Sequence, residues 1–363
     1  MEINALLEGM VKVKASDLHL KVGSPPMMRI HGDLRPVDSP VLTAQDTENI
    51  VNVITPARKR QGFDQIGTAD FSYSIPKVAR FRVNIFHQRG SVSIAIRQVS
   101  FSIPSMDNLD LPEAIKNIAK NKRGLVLVTG VTGSGKSTTL AAIIEHINQT
   151  RREHIITIED PIEYLYSDKK SIVNQIELGV DIDSFENALR HVLRQDPDII
   201  LLGELRDKVS VKTALSAVET GHMVLSTLHT PDAKQTITRI LDFFSADEEN
   251  LILSQLSLGL QAVISQRLLK RADNQGRIPA VEVLVNSPII AKLIKEGRIV
   301  DIKQAIQNKD DGMQTFNQAL VELTRLGKIT LEEGLKYCDD ESAYKRNVKG
   351  IYSEGDRTGL IGV

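Results

Sequence analysis

The chain has 363 residues, which at about 150 residues per domain leaves room for roughly two domains. Hydrophobic residues make up 41% and charged residues 25%, a balance that excludes bulk disorder or a collagen-like fold and supplies ample material for a buried core. Lys plus Arg number 45 against 46 Asp plus Glu, a net charge of -1, which excludes a globally basic protein held on nucleic acid by counterion release but not a local basic face.

The N-terminus, MEINALLEGMVKVKASD, places Glu2 and Glu8 where a signal peptide needs basic and then apolar residues. Its apolar positions Ile3, Leu6, Leu7 and Met10 predict a helix. Short strands are expected around Asp17–Lys21 and Met27–His31, with Ser24-Pro25-Pro26 as turn chemistry between them. A helix is expected near Ala44–Ile54, then β-like runs at Ala69–Ser74, Arg80–His87 and Ser91–Val99.

The last two runs predict a hairpin. Phe81, Val83 and Ile85 alternate with polar residues, as do Val92, Ile94 and Ile96, and Gln88-Arg89-Gly90 supplies the turn. A two-residue Arg89-Gly90 loop sets Val83 opposite Ile96 and Ile85 opposite Ile94. The same register sets Arg82 opposite Arg97, an unfavourable ladder pair of like charges. Either the two arginines splay into water or an anion is held between them.

Phe101–Leu111 (FSIPSMDNLDL) has the composition of a linker, with Pro104 and no clear period. Beyond it, nearly all-apolar strand-like runs at Leu125–Thr129, Ile155–Glu159, Ile199–Leu202 and Met223–Leu228 alternate with helical patterns near Lys136–Gln149, Ser184–Arg194, Lys208–Thr220 and Ala233–Leu241. That alternation predicts a parallel sheet with helices on both faces, its strands buried on both sides.

Gly130-Val131-Thr132-Gly133-Ser134-Gly135-Lys136-Ser137 fits G-x-x-x-x-G-K-[ST] in full, between a predicted strand and a predicted helix. Gly130, Gly133 and Gly135 let the backbone approach phosphate oxygens, and the amides form an anion nest at a helix N-terminus. Lys136 then reaches the β- and γ-phosphates and the Ser137 hydroxyl ligates Mg²⁺.

Three further segments narrow the chemistry. ITIEDPIE ends a strand in Glu159, Asp160 and Glu163 around Pro161, at the sheet edge where ligands bind in such folds, and one of these acids can orient an attacking water. DPDIILLGELRD is an apolar strand ending in Glu204, an acid suited to hold Mg²⁺ through a water. In TGHMVLSTLHT, His222 opens a buried strand and His229 closes it. A metal site lacks a third ligand at suitable spacing. His222 therefore reads as structural, and His229 as the better candidate for sensing the γ-phosphate.

From about Glu248 the pattern turns mainly helical, apart from a strand-like run at Ala280–Val285. The longest uncharged stretch, Leu251–Gln266, is broken by Ser254, Gln255, Ser257 and Gln261 and falls short of the ~20 apolar residues of a membrane span. Ser265-Gln266-Arg267-Leu268-Leu269 is expected to pack against the core, and Pro288–Arg298 reads as a short amphipathic helix. A single cysteine, Cys338, excludes an intramolecular disulfide and a four-cysteine zinc module and points to a reducing compartment. The tail Ser353–Val363 is polar and Gly-rich, composition expected of a loosely held terminus. A soluble cytosolic protein is expected, meeting a membrane only through a partner.

GVTGSGKST, ITIEDPIE, DPDIILLGELRD and TGHMVLSTLHT, in this order, resemble the Walker A, Asp box, Walker B and His box of the secretion ATPase superfamily of bacterial type II and type IV machines. ASDLHLKVGSPPMMRIHGDL resembles the start of its pilus-retraction branch, and the lack of a four-cysteine module agrees with that branch. GELRD stands where relatives often have GEMRD. The resemblance implies an α/β fold: a RecA-like P-loop core with a parallel sheet, after a smaller α+β, PAS-like N-terminal domain. The corresponding boundaries are residues 1–100, a linker at 101–112, a core at 113–270 and a mainly helical part at 271–363.

The resemblance further implies an ATP hydrolase with Mg²⁺. Nucleotide falls to Gly130, Thr132, Gly133, Ser134, Gly135, Lys136, Ser137 and Thr138, and the metal to Ser137 and, through water, Glu204. Glu163 would polarise the attacking water, His229 lies near the γ-phosphate, and Arg82 and Arg97 of the hairpin reach ATP. The implied assembly is a homohexamer, cytoplasmic at the inner-membrane pilus base. It would act on a PilC-like platform protein, with a paralogous accessory ATPase as a further partner and no nucleic acid. A pilus-assembly, accessory or DNA-uptake ATPase has the same motifs, and a nucleotide-binding scaffold that barely hydrolyses ATP is the third reading.

Overall fold

The computed structural model describes residues 2–30, 32–76, 78–99 and 102–351. Phe101 of the expected linker, His31 of an expected strand and the tail Ser353–Val363 lie outside the described residues. The chain forms two compact units. One comprises residues 1–102 together with 159–166 and 175–188; the other comprises 103–158, 167–174 and 189–363.

The first unit runs α1 (Ile3–Lys12), β1 (Asp17–Leu20), β2 (Met27–Ile30), β3 (Asp33–Pro36), α2 (Ala44–Ile54), α3 (Ala57–Ile66), β4 (Thr68–Ile75), β5 (Ala79–Gln88) and β6 (Ser91–Val99). Its strands form one sheet in the order β3-β2-β1-β6-β5-β4, all neighbours antiparallel. The hairpin has the register its alternation predicts: Val83 faces Ile96, Ile85 faces Ile94 and Arg82 faces Arg97. Arg89 and Gly90 both have positive φ, 50° and 74°, as a two-residue turn matched to strand twist requires. Phe81, Val83, Ile85, Val92, Ile94 and Ile96 are buried with Leu7, Met10, Ile50 and Val51 of the helices in one core. α2 starts on a capping box in which Thr43 and Asp46 satisfy each other's backbone amides.

The second unit begins with α4 (Glu113–Ile118), β7 (Gly124–Thr129), α5 (Lys136–Thr150) and β8 (His154–Glu159). It continues through β9 (Ile172–Glu177), α6 (Phe185–Val192), β10 (Ile199–Leu202), α7 (Lys208–Glu219), β11 (Met223–Leu228), α8 (Ala233–Leu241), α9 (Glu249–Gly259), β12 (Leu260–Lys270) and β13 (Arg277–Val285). It ends with α10 (Pro288–Lys295), α11 (Ile302–Gln307), α12 (Phe316–Arg325), α13 (Leu331–Leu335) and α14 (Glu341–Val348). The last residue of β8, the end of β9 and the start of α6 belong to the first unit.

The second sheet has the order β13-β12-β7-β11-β10-β8-β9. β12, β7, β11, β10 and β8 run parallel to their neighbours, and β13 lies antiparallel at one edge. β7, β10 and β11 are buried along their whole length, as continuous apolar runs should be in a sheet covered on both faces. This is the α/β arrangement, a parallel sheet with its strands buried, that the strand–helix alternation predicts.

The expectation of a mainly helical chain after Glu248 is corrected by β12, an eleven-residue strand beside β7. Ser265–Leu269 is part of that strand and therefore lies inside the sheet rather than against it. Helix α9 passes into β12 without an intervening loop, so apolar residues continue across the boundary and no turn chemistry marks it. β3, α3 and β9 are likewise absent from the sequence reading. Among the described residues no helix is long and apolar enough to cross a membrane.

Candidate active site

The segment between β7 and α5 is shaped by glycine. Gly130, Gly133 and Gly135 have φ of 142°, 81° and 93°, all in the range that side chains avoid. A Cβ on Gly130 would lie 2.5 Å from the Gln266 carbonyl oxygen of β12 and 2.5 Å from Ser134 Oγ. The backbone can therefore pass this point only without a side chain. Helices α7 and α8 are capped by the side chains of Asp207 and Asp232, whereas α5 has Gly135 at its N-cap and no side-chain cap. Its first amides are thus left for an anion.

Lys136 is buried, and its Nζ donates to the carbonyls of Gly130 at 2.9 Å and Val131 at 3.2 Å, folding the ammonium back over the loop. Ser134 Oγ is buried with no partner, an orphaned polar atom inside the cradle that a phosphate oxygen would satisfy. Ser137 and Thr138 are half-buried on the first turn of α5, and Thr132 is exposed at the loop tip. The arrangement fits a triphosphate with its divalent ion: amides, one ammonium and a first-turn hydroxyl converge there.

Glu204 follows β10 and His229 follows β11, two adjacent parallel strands. His229 Nε2 lies 3.5 Å from Glu204 Oε1, and His229 Nδ1 lies 3.5 Å from Thr132 Oγ1. One tautomer serves both contacts, with Nε2–H toward the carboxylate and Nδ1 accepting from the threonine hydroxyl. Arg206 Nε donates to Glu204 Oε2 at 2.9 Å. The imidazole thus joins the strand-end acid to the phosphate loop. His222 instead turns its Nδ1 to the Ala217 carbonyl at 2.9 Å at the end of α7, a structural cap. Among the described residues no group of three or more His, Cys, Asp or Glu could hold a metal ion.

Behind the loop, buried hydroxyls link strands and helix. Thr129 Oγ1 meets Ser265 Oγ at 2.8 Å, and Thr236 Oγ1 meets Thr230 Oγ1 at 2.7 Å and donates to the Asp232 carbonyl at 2.7 Å. Gln266 Nε2 donates to Thr139 Oγ1 at 2.8 Å and ties α5 to β12. Glu282 of β13 accepts the Ala233 amide at 2.9 Å, four residues past His229. Burial pushes the Glu282 carboxyl up to about 7; the Ala233 amide and Lys303 oppose this, and Asp232 and Asp339 add to it.

The remaining expected residues belong to the first unit. Arg82 and Arg97 are exposed on the hairpin face away from the core. Carboxylates of the same unit answer the like charges: Arg97 Nε donates to Asp17 Oδ1 at 2.7 Å, and Arg82 lies 4.0 Å from Asp70. Burial raises the Asp17 carboxyl, but the Ser16 hydroxyl and the Arg97 guanidinium outweigh it and hold the group below its usual range. Glu163 is exposed on the loop after β8, past a cis Asp160–Pro161 bond, with its amide 3.4 Å from Glu159 Oε2.

Sequence reasoning gave no site role to Gln266, Glu282, Arg206, Gln175 or Glu177. A signal existed for Glu282, a lone acid inside the apolar run IPAVEVLV, and for Arg206, two residues from Glu204. Gln175 and Glu177 lie on β9, which has no apolar alternation to announce it.

The sequence profile of the family described as "Type II/IV secretion system protein" matches residues 1–337. The type IV pilus retraction ATPase PilT of Pseudomonas aeruginosa is 44% identical over 92% of this chain and 96% of its own length. The type IV pilus ATPase PilU of the same organism is 40% identical over 98% of this chain and 93% of its own length. The crystal structure of the pilus retraction motor PilT with bound ADP superposes with a TM-score of 0.89 at 44% identity, covering 95% of this chain and 99% of that one.

Proposed function

The chain belongs to the type II/IV secretion system protein family, and on that premise we propose that it is the motor ATPase that retracts type IV pili. The observation that carries the reading is the chain Thr132–His229–Glu204, which connects the Walker A loop to the Walker B acid through the His-box imidazole.

The reaction is hydrolysis of ATP to ADP and phosphate. Phosphoryl transfer of this kind is catalysed mostly by positioning and charge. The amides from Gly130 to Lys136 and the Ser134 hydroxyl hold the β-phosphate, and Lys136 exchanges the loop carbonyls for β- and γ-phosphate oxygens. Thr138 binds the nucleotide, while Ser137 and, through a water, Glu204 would hold Mg²⁺, which would supply positive charge at the phosphates. Glu163 orients and polarises the attacking water. His229 carries the presence of the γ-phosphate to Glu204 and Thr132. Arg82 and Arg97 neutralise charge that develops on the transferred group, so turnover depends on the N-terminal domain.

Residues 1–100 act as that domain and 113–363 as the ATPase domain, joined by a linker at 101–112. Six copies form a cytoplasmic ring at the inner-membrane pilus base. Its ATP-driven domain motion works on a PilC-like platform protein, alongside a paralogous accessory ATPase, and pilins return to the membrane as the filament shortens.

The test is the ATPase rate of the wild type beside Lys136→Ala and Glu163→Gln. Both variants are expected to turn over far more slowly than the wild type but at a measurable residual rate, and one shared background rate in all three proteins overturns the enzyme reading. In cells, deletion is expected to leave pili that do not shorten. Bald cells would assign the chain to pilus assembly, and stimulation of the ATPase by DNA would assign it to DNA transport.

A further inference from the structure

Gln175 and Glu177 stand two residues apart on β9 and so share one face of the strand. Both brace the segment Glu159–Tyr166 that carries Glu163. Gln175 Nε2 donates to Glu159 Oε1 at 3.1 Å and to the Tyr164 carbonyl at 2.8 Å, while its Oε1 accepts the Tyr166 amide at 3.0 Å. Glu177 accepts the Ile162 amide at 3.1 Å, one residue before Glu163.

The same Glu177 oxygen also accepts from Ser72 Oγ of β4 at 2.8 Å and from the Arg80 guanidinium of β5. The Glu177 side chain is 1% exposed and that of Arg80 16%. Removing either member of so buried a pair would strand the other without its partner. Arg80 and Arg82 lie two residues apart on β5 and share a strand face. Every residue in this chain of contacts belongs to the first unit.

We propose that Glu177 and Gln175 are positioning residues for Glu163. They fix the direction of the Asp-box loop and, through Arg80, tie it to strand β5 of the hairpin. The inference rests on the reading of Glu163 as the group that polarises water. Apolar packing would suffice to anchor a loop without a role, whereas this buried polar network directs each group it binds through Glu177 Oε2, with Glu177 Oε1 and Arg80 Nε buried without a partner.

The test uses the full-length chain, with ATPase kinetics, nucleotide titration and thermal unfolding of Glu177→Gln, Gln175→Ala, Glu163→Gln and the Glu163→Gln/Glu177→Gln double variant. Glu177→Gln keeps size and can still accept the Ile162 amide, but it removes the charge facing Arg80. It is expected to lower kcat by about 10-fold and leave KM for Mg-ATP within about twofold, because a displaced acid harms the reaction and not ground-state binding. In the Glu163→Gln background the same change is expected to add less than about twofold, since residues that act through one another are not additive. An equal loss in that background, or a wild-type kcat for Glu177→Gln beside a strongly slowed Glu163→Gln, overturns the proposal. If Glu177→Gln does not fold, Gln175→Ala must show the same loss confined to kcat, and an unchanged kcat overturns the proposal. A Glu163→Gln chain that turns over at the wild-type rate overturns both readings, and the single variant alone tells that failure from the others.

Discussion

The phosphate loop and the Asp-box loop are both short segments after buried parallel strands, yet they are held in opposite ways. Residues 130–136 hold themselves: three glycines with positive φ set the path, and Lys136 closes it on carbonyls five and six residues back. Residues 159–166 are held from outside, by Gln175 and Glu177 and, through Glu177, by Ser72 and Arg80, about a hundred residues away in sequence. A loop that must offer backbone amides to an anion is best built from backbone. A loop that must aim one carboxylate needs side chains from elsewhere to aim it.

The largest expected effects test the chemistry of each loop. Lys136→Ala removes the ammonium and is expected to lower turnover by about 10³-fold, with nucleotide affinity falling too, as an equilibrium titration would show. Arg82→Ala and Arg97→Ala are each expected to lower turnover by about 10³-fold in folded protein; the unfolding temperature stays close to wild type for exposed Arg82 and falls for Arg97, whose loss leaves Asp17 without its guanidinium. Full activity in both would leave them as surface partners of Asp70 and Asp17.

A smaller effect tests whether remote bracing also operates in the second unit, where Glu282 holds the start of α8 just past His229. Its folded-state value of about 7 lies above the ordinary carboxylate value, so the folded protein binds the extra proton. Its stability contribution is therefore fully present below the unfolded value and is lost as pH rises through about 7. Glu282→Gln keeps an acceptor for the Ala233 amide without the charge. It is expected to flatten the pH dependence of the unfolding temperature between pH 5 and 8, on the order of 3 kcal/mol across that window. An unchanged pH profile would show that Glu282 is not the titrating group.

A smaller effect, and the sharpest on the self-held loop, is expected of Gly130→Ala. Its Cβ meets the Gln266 carbonyl, so about 2 kcal/mol of stability should be lost with nucleotide binding, read by denaturant unfolding and titration. The corresponding Gly133→Ala, with nothing within 4 Å, should cost less.

Much of the fold was legible locally. The hairpin register follows from alternation plus a two-residue turn, and Ile199–Leu202, Met223–Leu228 and Ala233–Leu241 match their predicted limits. β12 was not legible, because LILSQLSLGLQAVISQ is apolar on both sides of a helix-to-strand change that only the neighbours decide. β9 escaped because its residues answer to the loop they brace rather than to a core.

By itself the sequence determined the phosphate loop, the strand–helix alternation and the Arg82–Arg97 pairing, each written in contiguous residues or in a period of two. The tertiary structure alone decided that His229 meets Glu204 and Thr132, that Gln266 crowds Gly130, and that Glu163 is anchored through Glu177 to Arg80. Those contacts join residues tens to hundreds of positions apart. Their side chains carry no periodic signal, and their meaning arises only once strand order and burial have brought them within hydrogen-bond reach.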